Sequence, residues 1–160
     1  MSSTSLVMER SHFEVGFVPV ADAWDTTSGT SDIVNMNRHN RVRFILFWGV
    51  GATGTFTPVV EACDDVAASN VTAIPYRYRV TTAAAGPGAV TLATAAGFTT
   101  TAGSNQVVEI EVDAATVGAT GYGFVRVKCT EVVNSPILGG CLIEMLEPNH
   151  AGLVQTAAIV

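Results

Sequence analysis

Charged side chains are scarce in this sequence. They account for 14% of its 160 residues, where an ordinary globular chain has about a quarter. Such a chain either buries part of its surface against other subunits or builds an unusually apolar core, and a hydrophobic content of 48% fits both. Cations are the scarcer sign: eight Lys and Arg face fourteen Asp and Glu, for a net charge of −6 and an isoelectric point near 4.8. That balance argues against nucleic acid as the main partner, because neutralising phosphates takes clustered cations. Long apolar runs are missing too. No stretch approaches the roughly 18 residues that would cross a bilayer as a helix, so no membrane partner is expected. Glu9 and Arg10 fall too early for the apolar core of a secretory signal. Cysteine is limited to Cys63, Cys129 and Cys141, each inside an apolar run and without Cys-x-x-Cys spacing. Buried, reduced thiols are expected, as suits a protein that folds in cytoplasm.

What the sequence does contain is a succession of short runs rich in Val, Ile, Thr, Phe and Tyr, punctuated by Gly, Asn, Asp and Pro. Strands are expected at 13–20, 31–36, 41–49, 55–63, 73–82, 89–95, 97–101, 105–112, 122–133 and 138–146. Eight to ten short strands with turn signals about every ten residues describe an all-β antiparallel sandwich or barrel. Only 113–119 reads as a helical turn, capped by Asp113. The length suits one domain with a real core. We place it at 13–146, between a flexible N-terminal arm over 1–12 and a C-terminal extension over 147–160. The apolar tip of that extension, including Ile159 and Val160, either tucks onto its own domain or crosses to a neighbour; the neighbour is favoured.

Gly49, Gly51 and Gly54 follow an apolar run in the spacing Gly-x-Gly-x-x-Gly, the written form of a dinucleotide-binding loop. Such a loop needs a helix behind it to hold the pyrophosphate. Here Thr55-Phe56-Thr57-Pro58-Val59-Val60 follows, which is β-branched and interrupted by proline. Asp64 and Asp65 also come too soon for the ribose-binding acid. The glycines read instead as a hairpin connection using positive φ.

The few charges are written in pairs. Arg41 and Arg43, Arg77 and Arg79, Arg126 and Lys128, and Glu109 and Glu111 are each two residues apart, which puts each pair on one face of its strand. The residues between them, Val42, Tyr78, Val127 and Ile110, then point into a core. Two readings follow. Opposite charges pair across neighbouring strands, or an Arg-rich stripe meets an acidic protein partner. Ile45 and Phe47 share the face of Arg41 and Arg43, so that face turns apolar along its strand, as a contact surface would.

No cluster of residues identifies a reaction. His12, His39 and His150 are scattered, and His39 reads as a turn residue. Asp64-Asp65 reads as a loop, and Asp22, Asp25 and Asp32 lack the ordered alternation of a calcium loop. Trp24 and Trp48 read as buried anchors ahead of sugar-stacking platforms. Neither a catalytic residue nor a cofactor is expected.

The succession NRVRFILFWGVGATGTFTPVVEACDD, AIPYRYRV and VVEIEVDAATV…GYGFVRVKCTEV, within residues 30–146, resembles small all-β virion proteins of tailed bacteriophages, in particular head decoration or cement proteins. The likeness lies in strand order and texture: a Gly-Thr-Gly turn before a Thr/Val strand, a Tyr/Arg strand, an Asp-led turn before an aromatic strand. The resemblance implies a jelly-roll or related sandwich without enzymatic activity. It also implies a homodimer or homotrimer on the outer capsid surface that clamps adjoining major capsid subunits. Another phage structural role, in a head fibre, tail or baseplate, shares that fold. A carbohydrate-binding module would instead show two or three exposed aromatics on one face.

Overall fold

The computed structural model describes residues 11–25, 29–51 and 53–149. Alternation of apolar and polar side chains sets its strands. In β3 (His39–Trp48) Val42, Phe44, Leu46 and Trp48 are buried while Arg41, Arg43, Ile45 and Phe47 face outward. The same period-two pattern builds β4 (Thr55–Cys63), β9 (Gln106–Asp113) and β10 (Phe124–Val133). The remaining strands are β1 (Ser11–Val20), β2 (Val34–Asn35), β5 (Val71–Ile74), β6 (Tyr76–Thr82), β7 (Gly86–Pro87), β8 (Thr91–Ala93) and β11 (Gly139–Pro148). One short helix, α1 (Ala114–Gly118), follows β9. Asp113 caps it, its carboxylate accepting from the Thr116 N–H at 2.7 Å.

Two antiparallel sheets face each other. The larger runs β1-β11-β3-β9-β6-β7, with β8 also on β6; the smaller runs β2-β10-β4-β5. The pairings are nested: β1 with β11, β2 with β10, β3 with β9, β4 with β5. The β11–β3 and β10–β4 contacts then join them into two layers. That nesting is a long hairpin rolled up on itself, the jelly roll, with β6 to β8 added to the free side of β9. Between the layers Trp24 stacks on Phe56 at 4.0 Å and meets Phe17 and Trp48 edge-on. Both tryptophans are core anchors.

Four expectations change. The run 73–82 is two strands in different sheets, because Pro75 sits between β5 and β6 where the chain crosses layers. The run 31–36 shortens to Val34–Asn35. The segment 97–101 is not a strand. Thr100 donates its N–H to the Phe56 carbonyl at 2.9 Å, but the next ladder position on β4 is Pro58, which has no N–H to give. The glycine loop at 49–54 is not a hairpin either: β3 and β4 lie in different sheets, and none of the three glycines has positive φ. Their role is space. A Cβ on Gly51 or Gly54 would come within 2.6 Å of the Ile137 side chain, which is buried against them.

The domain edges extend slightly, since β1 begins at Ser11 and β11 runs to Pro148. The rest of the expected arm, and Ile159 and Val160, lie outside the described residues.

Candidate functional site

The jelly roll separates the basic pairs. Arg41, Arg43, Arg77 and Arg79 come together on the outer face of the larger sheet, on β3 and β6. Arg126 and Lys128 lie on the outer face of the smaller sheet, on the other side of the molecule. Glutamates answer most of them in the plane of the sheet. Arg43 is the hub: its Nε donates to Glu144 Oε2 on β11 at 2.8 Å and Nη1 to Glu109 Oε1 on β9 at 2.9 Å, while Nη2 also meets Glu144. Glu109 in turn holds Arg79 on β6. Glu144, Arg43, Glu109 and Arg79 thus form an alternating ladder across four neighbouring strands. Arg41 pairs more loosely with Glu111 at 3.4 Å, and Arg126 with Glu61 at 2.7 Å. Among the described residues Arg77 and Lys128 have no ion pair. Pairing across strands therefore accounts for four of the six cations.

The row that holds Glu109 and Arg79 turns apolar on its β3, β11 and β1 side. Register places Val15, Leu142 and Ile45 side by side on the same outer face, with Phe13 beside Glu144 and Phe47 beside Val107. Phe13 is 53% exposed and Val15 48%, on the edge strand of the sheet. The result is an apolar half-face next to a charged half whose arginines, Arg77 apart, are paired with glutamates. Ile45 and Phe47 were legible as outward apolar residues. Phe13, Val15 and Leu142 were not, because alternation gives the two sides of a strand but not which side meets the core.

A second feature lies at the β6 side of the sandwich. Tyr78 and Phe98 stack ring on ring at 3.7 Å at the base of an open groove of about 640 Å³, whose other walls include Val80, Ala84, Thr99 and Ala102. No charged side chain lines it.

Some of the residues that could carry chemistry have structural partners, whereas His39 Nδ1 and Asp22 Oδ1 are buried without a hydrogen-bond partner among the described residues. Asp65 accepts from the Ala67 and Ser69 N–H groups and the Ser69 hydroxyl, and Asp64 from Asn70. Those bonds hold the β4–β5 loop and pull both carboxyls below their usual range. His39 is not a turn residue: it opens β3 and is buried, and burial first, then the charges of His12 and Arg38, lower its pKa. His12 instead pairs with Glu14 at 2.6 Å. All three cysteines are free and buried; burial pushes the Cys63 thiol up to about 11 and the other two higher still. Among the described residues, no group of three His, Cys, Asp or Glu is placed to hold a metal, and no helix is long and apolar enough to cross a membrane. No protein-family model matches this chain, and no curated protein matches it.

Proposed function

We propose that this protein is a non-enzymatic virion component of a tailed phage that decorates the outer capsid surface and bridges major capsid subunits. The observation that carries the reading is the apolar half-face of exposed Phe13 and Val15 beside half-buried Leu142, Ile45 and Phe47. Exposed contiguous apolar surface marks protein contact, and an open sheet face suits a broad partner better than the enclosed pockets that hold small molecules. The nested jelly roll is the architecture that the resemblance implies, although a fold by itself hosts many functions. A partner that binds only the assembled shell stabilises that shell by mass action. Acidic net charge and in-plane pairing of the arginines support a protein partner over nucleic acid.

The test is co-sedimentation of purified protein with undecorated heads. Saturable binding is expected, and Phe13→Ser with Val15→Thr should weaken it about tenfold or more without lowering Tm, since both residues are exposed. Absence of saturable binding to any phage head offered, or full binding by the double variant, overturns the reading.

A further inference from the structure

The groove beside Tyr78 and Phe98 has an unfinished wall. Residues 97–101, GFTTT, have the composition of a strand but form no ladder: Thr100 bonds Phe56 on β4, the Gly97 N–H bonds the Thr94 carbonyl, and the Thr101 carbonyl accepts from the Gln106 amide. Along an extended segment successive N–H groups point to opposite sides. With Thr100 turned to β4, the N–H groups of Thr99 and Thr101 turn the other way, and among the described residues neither has a partner. Two donors at positions i and i+2 beside an uncharged groove are what an added extended segment pairs with.

We infer that this groove receives residues 151–160 of a second copy of the chain, which pairs with 97–101 on the side turned away from β4. The occupant follows from composition and reach. Ala151-Gly-Leu-Val-Gln-Thr-Ala-Ala-Ile-Val160 carries no charged side chain, matching a groove with none. It includes Leu153, Val154, Thr156, Ile159 and Val160, which favour extended backbone and fit a floor of stacked rings and small residues. The described chain leaves off at Asn149, whose N–H and side-chain amide hold the Arg38 and Asn37 carbonyls at the start of β3.

From that row to the Leu46–Val108–Val80 row is seven residues along the strands, roughly 23 Å, and three strand spacings sideways, roughly 14 Å. The straight path is about 27 Å, and it must still round the sheet edge formed by β7 and β8, across a layer spacing of about 10 Å. Residues 150–160 reach at most about 36–40 Å when fully extended. Hardly any of them would be left to lie in their own groove, so the donor is a neighbour. This assignment is independent of which shell the protein coats, because self-association is measured with no capsid present.

The experiment compares three proteins by sedimentation velocity at micromolar concentration: the full chain, the chain ending at Asn149, and full-length Ala84→Glu/Ala102→Glu. Both alanines are exposed groove residues, so charging them leaves the core alone. The full chain is expected to be oligomeric, with the apparent dissociation constant raised at least about tenfold in the other two. Mixing the truncated chain, which keeps the groove, with the charged variant, which keeps the segment, should restore a mixed complex. A labelled 150–160 peptide should bind the truncated chain saturably and the truncated Ala84→Glu/Ala102→Glu chain at least about tenfold more weakly. A monomeric full chain, or an oligomer unmoved by the two alanine substitutions, overturns the assignment. Should the truncated chain unfold, the full-length charged variant still decides. Normal self-association with no head binding would overturn only the capsid reading.

Discussion

Removing the hub of the charge ladder gives the sharpest test of this description. Arg43→Met keeps the aliphatic stem but deletes the guanidinium that serves both Glu144 and Glu109. Glu109 retains Arg79. Glu144 retains nothing else among the described residues, and its side chain is only 8% exposed. Breaking a fully buried ion pair from one side costs about 3–5 kcal/mol, because a charge is left desolvated and unanswered. A fully exposed pair is worth about 0–1 kcal/mol. Arg43 is 30% exposed on its side chain, so the pair sits between these limits, and a loss of about 2–3 kcal/mol is expected. For a domain of this size that lowers Tm by about 5–10 °C. Arg43→Met/Glu144→Leu should recover to within about 1 kcal/mol of wild type, since replacing both partners by apolar groups removes the stranded charge. Arg77→Met, on the same face but without an ion pair, should stay within about 0.5 kcal/mol. Urea denaturation of the three variants measures all of this. If Arg43→Met costs less than about 0.5 kcal/mol, or the double variant is no more stable than the single one, the ladder does not hold the sheet as described.

Three further outcomes are expected. Gly97→Ala should lose at least about 2 kcal/mol in urea denaturation, because φ is +79° and its Cβ would meet the Pro58 carbonyl at 2.2 Å. Gly86→Ala, at φ +68° in open space, should lose only about 1 kcal/mol, and equal losses would refute the packing argument. For pH, the lowered pKa of His39 means the unfolded chain binds a proton that the folded one resists. The His39 contribution to stability is therefore full above the ordinary value of 6.5 and declines as pH falls below it; His39→Gln should flatten that part of a Tm-versus-pH curve, and an unchanged slope would refute it. In a thiol titration at pH 8 none of the three cysteines should react within minutes while the protein is folded, and all three should in guanidinium; one fast native thiol would contradict their burial.

The sandwich was legible wherever a strand has one dry and one wet side. RVRFILFW and VVEIEV alternate cleanly, and both appear as β3 and β9 with the expected residues inside. Legibility failed where the deciding factor was a neighbour distant in sequence. Nothing in AIPYRYRV announces that Ile74 and Tyr76 belong to opposite layers, because Pro75 is as compatible with an edge strand as with a crossing. GFTTT has strand composition, but its would-be partner position is a proline about forty residues earlier. Likewise the spacing of Arg41 with Arg43 and of Arg126 with Lys128 is identical on paper. Only the nested pairing sends them to opposite sides of the molecule. His39 was misread because Asn and Arg flank it, while its burial depends on how β3 starts beside the end of β11, where Pro148 pairs with it.

The ladder has a kinetic consequence. Because three of the four arginines on the outer face of the larger sheet, Arg41, Arg43 and Arg79, are answered within a few ångströms by glutamates on adjacent strands, most of their field cancels within about one Debye length, roughly 8–10 Å at moderate salt. An incoming surface senses little attraction from this side until it touches. Encounter would then proceed without steering, at about 10⁵–10⁶ M⁻¹s⁻¹. Ionic strength would hardly alter it. Tight association through that side would come from slow departure once water has been squeezed from the apolar rows.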